Sequence, residues 1–145
     1  MFFIKQFLKK TDYTSIKLTT VKSEHILVRA EINGVSARLI VDTGASFTCI
    51  DRDAVEKLKL NQDHSEYRAT GAGASDLWTG RSIIEQLNIG DWTCADKEIL
   101  IMDLTHVRKA LLEVGVKKVY GVLGADVLKS AEAIIHYGEK RLLLK

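Results

Sequence analysis

The stretch VDTGAS at residues 41–46 decides how this sequence is interpreted. It places one acidic residue, Asp42, between the apolar run LIV at 39–41 and the run FTCI at 47–50. A carboxylate held this tightly between apolar segments is costly to bury unless its surroundings satisfy it. The placement favours a chemical role for Asp42, although an aspartate that begins an ordinary turn can give the same tripeptide.

A β-hairpin is predicted directly before this stretch. Apolar and polar residues alternate through 26–32 and again through 35–41, and the intervening Asn33-Gly34 is typical of a two-residue type I′ turn. In that register the apolar residues of both strands lie on one face of the hairpin. The second strand then presents Asp42 at its end.

Short strands and glycine-containing turns dominate the rest of the pattern, which indicates an all-β fold. The chain has no proline, internal repeat or linker-like run, so one domain is predicted, over 25–145, after an N-terminal extension and first strand over 1–24. The other predicted elements are strands at 14–21, 81–89 and 94–103, helices at 51–58 and 105–114, a loop at 61–80, a strand, glycine turn and short helix over 119–131, and a final hairpin over 133–144.

The composition is that of an ordinary globular domain. The 145 residues are 46% apolar and 28% charged, with a net charge of +2. Lysines and arginines are scattered or occur in pairs, and this predicts solvated faces rather than a nucleic-acid site. Residues 1–10 are too short to span a bilayer, so we expect a cytoplasmic protein with no stable membrane insertion.

The cysteines and histidines show no metal-ligand spacing. Cys49 and Cys94 are far apart and belong to no Cys-x-x-Cys pair, so two buried or half-buried thiols are expected, although the sequence leaves a disulfide open. No metal and no cofactor is predicted. The four dispersed histidines are expected to be structural or exposed: His25, His64, His106 and His136.

A second block, VLGADVL at residues 122–128, supports a chemical role for the first. The two blocks occur in a fixed order: an apolar strand followed by DTGAS, and then a distal Val-Leu-Gly-x-Asp-x-Leu. This combination resembles the single-domain, bacterial type of retropepsin-like aspartic protease. The resemblance covers roughly residues 25–145. It implies an all-β, closed acid-protease barrel with one or two short helices, assembled as a twofold homodimer. Asp126 is expected to be a helix-start residue rather than a second catalytic acid.

The resemblance implies an aspartic endopeptidase with Asp42, Thr43 and Gly44 as its catalytic residues. Each subunit would contribute Asp42 to one dyad, in which two carboxylates about 3 Å apart share a proton, one activating water and the other protonating the scissile carbonyl. Because Ala45 offers no hydroxyl near the carboxylate, activity is expected to peak in mildly acid conditions. The remaining implied residues are Ala45, Ser46, Gly71, Ala72, Gly73 and Trp78 for substrate binding and the flap, and Val122, Leu123 and Gly124 for support of the loop.

Two other functions stay open at the level of sequence. A retropepsin-like domain with weak or no activity can serve as a peptide-binding or dimerisation module. A small all-β ligand-binding domain would require both motif matches to be chance. The presence of Asp42, Thr43 and Gly44 together favours the protease, with a peptide or protein bound in extended form as its substrate.

Overall fold

The computed structural model describes residues 2–61, 63–71 and 74–145, and it describes the backbone alone for Phe2, 63–71 and 74–79. Ten strands, three α-helices and one 3-10 turn make up the described chain. In chain order they are α1 (Phe2–Lys9), β1 (Thr14–Thr20), β2 (Ile26–Ile32), β3 (Val35–Val41), β4 (Cys49–Asp51), the 3-10 turn (Arg52–Ala54), β5 (Asp63–Gly71), β6 (Ala74–Ile89), β7 (Trp92–Met102), α2 (Thr105–Glu113), β8 (Val119–Leu123), α3 (Ala125–Ser130), β9 (Ile134–His136) and β10 (Arg141–Leu144).

Six of the strands close into a barrel. The sheet order is β5-β6-β7-β4-β8-β3-β2-β1-β10-β9, and an additional pairing joins β6 back to β2. The ring is therefore β6-β7-β4-β8-β3-β2, and closure satisfies the strand edges within it. The predicted all-β, closed-barrel fold is confirmed. It carries three α-helices in the described residues, where one or two were predicted.

The β2–β3 hairpin has the predicted register and turn. Ile32 lies directly opposite Val35, and Asn33 and Gly34 have φ angles of +50° and +81°, as a type I′ turn requires. Alternate residues of both strands enter the barrel core, and each fully buried branched side chain contributes about 1.5–3 kcal/mol. The core residues of this hairpin are Val28, Ala30, Ile32, Ala37 and Leu39.

The outer face of the same hairpin is also partly buried. Leu27 and Ile40 lie opposite each other and belong to a second apolar cluster with Leu111 of α2, Val116 and Val119. Packing of α2 over this face explains why the LIV run at 39–41 does not alternate. The strand that ends at Asp42 is therefore held from both sides.

The N-terminal segment contributes a strand to the sheet. β1 pairs with β10 through its first half and with β2 through its second half. The closing hairpin of β9 and β10 is thus joined to the barrel through β1.

Two predicted elements are wrong in type or extent. Residues 61–80 were predicted as a loop, but β5 and the first half of β6 form an antiparallel hairpin there. The backbone ladder between β5 and β6 sustains both strands there without an apolar alternation, and β7 pairs with β6 from Gly80 onwards. The helix predicted over 51–58 is a single 3-10 turn, Arg52–Ala54; Asp51, with extended backbone, ends β4 and caps the turn.

Candidate active site

Asp42 lies where β3 ends, and β8 holds it there. β3 and β8 are parallel, with Val41 opposite Leu123, and the Asp42 N–H donates a hydrogen bond to the Leu123 carbonyl at 3.1 Å. The side chains of Asp42 and Thr43 are exposed in the single chain. A carboxylate is thus presented to solvent from backbone that is fixed by the barrel.

Residues 42–47, which begin with Asp42 itself, are termed the DTG loop. The Gly44 N–H donates to Asp42 Oδ1 at 2.9 Å, and the Ala45 N–H donates to the Asp42 carbonyl at 3.2 Å. Asp42 Oδ2 has no hydrogen-bond partner in the described part of the chain. One carboxylate oxygen is therefore oriented by the loop and the other is available to a ligand.

Gly44 is explained by the limited space for a Cβ atom at this position, not by an unusual φ angle. A Cβ there would lie 3.3 Å from Asp42 Oδ1, and the residue does not have a positive φ. The constraint on this position is therefore the close approach of its backbone to the carboxylate.

The start of α3 supports the DTG loop directly. The Ala125 N–H donates to the Ala45 carbonyl at 2.7 Å. A Cβ on Gly124 would lie 2.7 Å from the Phe47 carbonyl carbon and 2.9 Å from the Ala45 oxygen, which is closer than real Cβ contacts. Leu123 therefore contacts Asp42, the first residue of the loop, and Gly124 packs against the backbone of Ala45 and Phe47. Val122 lies one step away, paired with Ile40 and Cys49.

A buried polar link fixes the end of the loop. Asp126 Oδ1 accepts the Thr48 N–H at 2.9 Å and the Thr48 hydroxyl at 2.7 Å, while Thr48 Oγ1 accepts the Gly124 N–H at 3.0 Å. Lys97 Nζ lies 3.0 Å from Asp126 Oδ2. Burial tends to raise the pKa of the Asp126 carboxyl, but the Thr48 hydrogen bonds and Lys97 outweigh it and hold that pKa below its ordinary value. Asp126 is thus committed to structure, as expected of a residue that is not a second catalytic acid.

Another carboxylate, that of the buried residue Asp51, anchors the strand after the loop. The sequence did not single out Asp51 for this role. Asp51 is 1% exposed; it accepts the Leu104 N–H at 3.2 Å and lies 3.3 Å from the Arg108 guanidinium of α2. Asp51 also caps the 3-10 turn, where its Oδ1 accepts the Asp53 N–H at 3.4 Å. A strand-ending aspartate gives no sequence signal of its distant arginine partner.

An open cavity of about 360 Å³ lies beside Asp42 and Thr43. It is also lined by residues from the β1–β2 turn and from the closing hairpin, including His25 and Tyr137, the latter 71% exposed. His25 was expected to be structural or exposed, and the structure places it in this cavity. The remaining lining residues are Glu24, Ile26, Ile40, Val41 and Ile135. No local pattern marks the residues from the turn and closing hairpin as neighbours of Asp42.

The predicted flap falls on the β5–β6 hairpin. Gly71 ends β5 and lies opposite Ala74 at the start of β6. The flap residues Ala72 and Gly73 lie outside the described residues. Trp78 is on β6, opposite Arg68. Ser46, the remaining predicted substrate-binding residue, is exposed on the DTG loop.

Within 2–61, 63–71 and 74–145, no group of three or more histidine, cysteine, aspartate or glutamate residues is arranged to hold a metal ion. Both cysteines are free thiols, Cys49 buried and Cys94 half-buried, in line with the expectation for them. Over the same described segments, every helix is too short or too polar to cross a membrane.

Fold and loop together define the class of protein. The sequence pattern of the family described as "Aspartyl protease" matches residues 28–127, and the chain belongs to this family. No curated protein sequence matches the chain.

Solved structures agree with this assignment at the level of the fold. A retropepsin-like aspartic protease from Rickettsia conorii superposes with a TM-score of 0.64 at 18% identity, covering 92% of this chain and 91% of that one. A retroviral protease-like domain from Leishmania major gives 0.56 at 16% identity, covering 83% and 88%. The EIAV protease, solved with an inhibitor, gives 0.55 at 18% identity, covering 81% and 98%. The retropepsin-like resemblance is thereby confirmed.

Proposed function

We propose that the chain is an aspartic endopeptidase whose active site is completed by a second copy of itself. Asp42 of each copy would form a dyad across a twofold axis. The observation that carries the proposal is the DTG loop, which presents Asp42 to solvent while β8 and α3 fix its backbone. The loop is also intact in sequence, with Asp42, Thr43 and Gly44 all present.

Among the described residues, two of the acids around the DTG loop already have structural partners, and a third, Glu24, lines the same open cavity as Asp42. Asp126 is engaged by Thr48 and Lys97, and Asp51 is buried against Arg108. The intact DTG loop favours a pair made with the same Asp42 of another chain, and this is the arrangement we propose. Twofold dimers are the commonest arrangement that brings one residue next to its own copy.

The dyad would hydrolyse a peptide bond without a covalent intermediate. Two adjacent carboxylates retain one proton between them. The ionised carboxylate removes a proton from water as its oxygen attacks the scissile carbonyl carbon, and the protonated carboxyl gives its proton to the carbonyl oxygen. Collapse of the tetrahedral species breaks the C–N bond as a proton passes to the departing nitrogen, releasing an acid and an amine.

Substrate would bind as an extended strand between the DTG loop and the flap. Backbone hydrogen bonds would hold the peptide, with alternate side chains in pockets. Ala45, Ser46 and Trp78, with the flap residues Gly71, Ala72 and Gly73, are proposed to contact it. The cavity beside Asp42 that His25 and Tyr137 help to line offers space for one such side chain.

The direct test compares Asp42→Asn with Asp96→Asn on a diverse peptide library from mildly acid to neutral pH, with products read by mass spectrometry. Asp96 is exposed and has a φ of +52°, which asparagine tolerates well. We expect cleavage to vanish in the first variant and persist in the second. Cleavage that survives Asp42→Asn excludes the mechanism, and an optimum below about pH 3 contradicts the role given to Ala45.

The dimer is tested by mixing chains. If the chains pair at random, co-refolding wild type with an equal amount of Asp42→Asn makes about a quarter of all dimers fully wild type, so activity per total amount of chain falls to about a quarter. Co-refolding with Asp96→Asn serves as the control and leaves activity intact. A strictly monomeric chain in sedimentation would leave Asp42 without a partner and identify a binding module. A peptide-binding dimer without cleavage would identify a binding and dimerisation module.

A further inference from the structure

The sheet gathers basic side chains that are scattered in the sequence. Arg29 of β2 lies directly opposite Arg38 of β3, and Lys17 of β1 lies directly opposite Arg141 of β10. Lys17, Arg29 and Arg38 together line one open cavity of about 520 Å³, here termed the basic groove. Its other lining residues are Ile16, Thr19, Val21, Leu27, Val28 and Gly90.

This arrangement is unfavourable for the isolated chain. Directly opposite side chains in an antiparallel pair have Cβ atoms about 5 Å apart, and like charges at that distance destabilise the sheet. In the described part of the chain, Lys17, Arg29 and Arg38 form no salt bridge, and the groove has no acidic lining residue. A negatively charged ligand would remove the repulsion and gain charge-assisted hydrogen bonds from two guanidinium groups.

The walls of the groove indicate which anion fits. Its apolar part is aliphatic, from Ile16, Val21, Leu27 and Val28, and none of the described lining residues is aromatic. Single-stranded nucleic acids are normally held by stacking of their bases on aromatic side chains. An extended peptide instead alternates its side chains, so acidic residues can meet the arginines while aliphatic ones meet the floor.

We propose that the basic groove binds an acidic, extended segment of a protein. The groove shares no lining residue with the cavity beside Asp42, so this binding goes beyond the peptidase function and does not require the dyad. Arginine forks bind carboxylates with two parallel hydrogen bonds, which gives the acidic positions of the segment their specificity.

The test uses the full chain and a fluorescently labelled peptide of alternating glutamate and leucine, about ten residues long so as to cover several strand positions. Fluorescence anisotropy measures its Kd for wild type, for Arg29→Gln/Arg38→Gln and for Lys59→Gln/Lys109→Gln. The two double variants lose the same net charge, and Lys59 and Lys109 are exposed outside the groove. We expect at least roughly tenfold weaker binding for the arginine pair and little change for the lysine pair.

Further measurements separate specific binding in the basic groove from effects of the active site or of misfolding. Binding should weaken as salt increases, because the contacts are charged and accessible. Asp42→Asn should bind the peptide like wild type, so a failed peptidase does not obscure the result. Unfolding curves check that the arginine variant folds, and it should be at least as stable as wild type because a like-charge pair is removed.

Several outcomes would overturn the proposal. The proposal is wrong if the glutamate peptide shows no saturable binding or if the two double variants lose affinity equally. It is also wrong if a single-stranded oligonucleotide binds more tightly than the peptide. The chain also has an acidic cavity, lined in part by Glu85, Asp96 and Glu98. Self-association that disappears in Arg29→Gln/Arg38→Gln, seen by sedimentation without peptide, would assign the basic groove to a second copy instead.

Discussion

The carboxylate of Asp126 accepts both the backbone N–H and the hydroxyl of Thr48, at 2.9 and 2.7 Å. These residues are 78 positions apart in the chain, and Thr48 is fully buried. The pair joins α3 to the end of the DTG loop, so the position of Asp42 depends on a contact remote from it in sequence. Buried polar groups of this kind are costly to leave unpaired.

Replacement of Asp126 by alanine should destabilise the protein strongly. The change leaves Thr48 without an acceptor and Lys97 without its partner, and we expect a loss of roughly 2–4 kcal/mol in the free energy of unfolding. Urea denaturation measures it. Asp103→Ala is the matched control, because Asp103 makes the same pair of bonds to Thr105 on an exposed surface. Equal losses in the two variants would contradict a special role for the buried pair.

The contribution of Asp126 should depend on pH. Its pKa is lower in the folded protein than in the unfolded chain, so on acidification the unfolded state takes up the proton first. The stabilisation is therefore complete above the ordinary aspartate pKa of about 4 and is lost as the pH falls through the lower folded value. The stability difference between wild type and Asp126→Asn, measured by denaturation from pH 7 downwards, should be constant at first and shrink below about pH 4. A difference that grows on acidification would refute the assignment.

Gly124→Ala should destabilise the DTG loop. A Cβ would lie 2.7–2.9 Å from backbone atoms of Phe47 and Ala45, and backbone cannot move aside as a side chain can. We expect a loss of about 1–3 kcal/mol in thermal unfolding, with reduced peptidase activity if the loop carries catalysis. In Gly138→Ala the new Cβ meets only the His136 ring at 3.3 Å, so a much smaller change is expected. Indistinguishable melting temperatures for the two variants would argue against the close approach at Gly124.

The two thiols should differ in reactivity. Burial raises the pKa of Cys49 to about 11, which leaves little of the reactive thiolate at pH 8, whereas Cys94 is half-buried. Iodoacetamide should therefore modify Cys94 first in the folded protein and both residues in urea, as read by peptide mass spectrometry. Equal rates in the folded state would show that Cys49 is more accessible than the structure indicates.

Local chemistry made the hairpin and the loop predictable. Asn33-Gly34 requires positive φ angles that suit a type I′ turn, and the structure has them. Once the turn is fixed, a period of two sets the register and places Asp42 at the strand end. The DTG loop and the Val-Leu-Gly block then indicated the family, which the match over residues 28–127 confirms.

The secondary-structure predictions failed where backbone hydrogen bonding, rather than the pattern of apolar side chains, defines a strand or helix. The polar residues of β5 and the first half of β6 are held as strands by their mutual ladder, and β7 pairs with β6 from Gly80 onwards. Asp51, predicted as the first residue of a helix, instead ends β4, pairs with Met102 of β7 and is anchored by Arg108. The partners of Asp51 are about fifty residues away along the chain, beyond any local window.

The sequence by itself determined the hairpin, the DTG loop and the family, because turn geometry and alternation act between near neighbours. Only the tertiary structure decided which distant residues meet. It brought Asp126 to Thr48, His25 and Tyr137 to Asp42, and it aligned Arg29 with Arg38. The physical reason is that strand register, barrel closure and the packing of α2 are collective properties of the whole sheet, and no local window of sequence contains them.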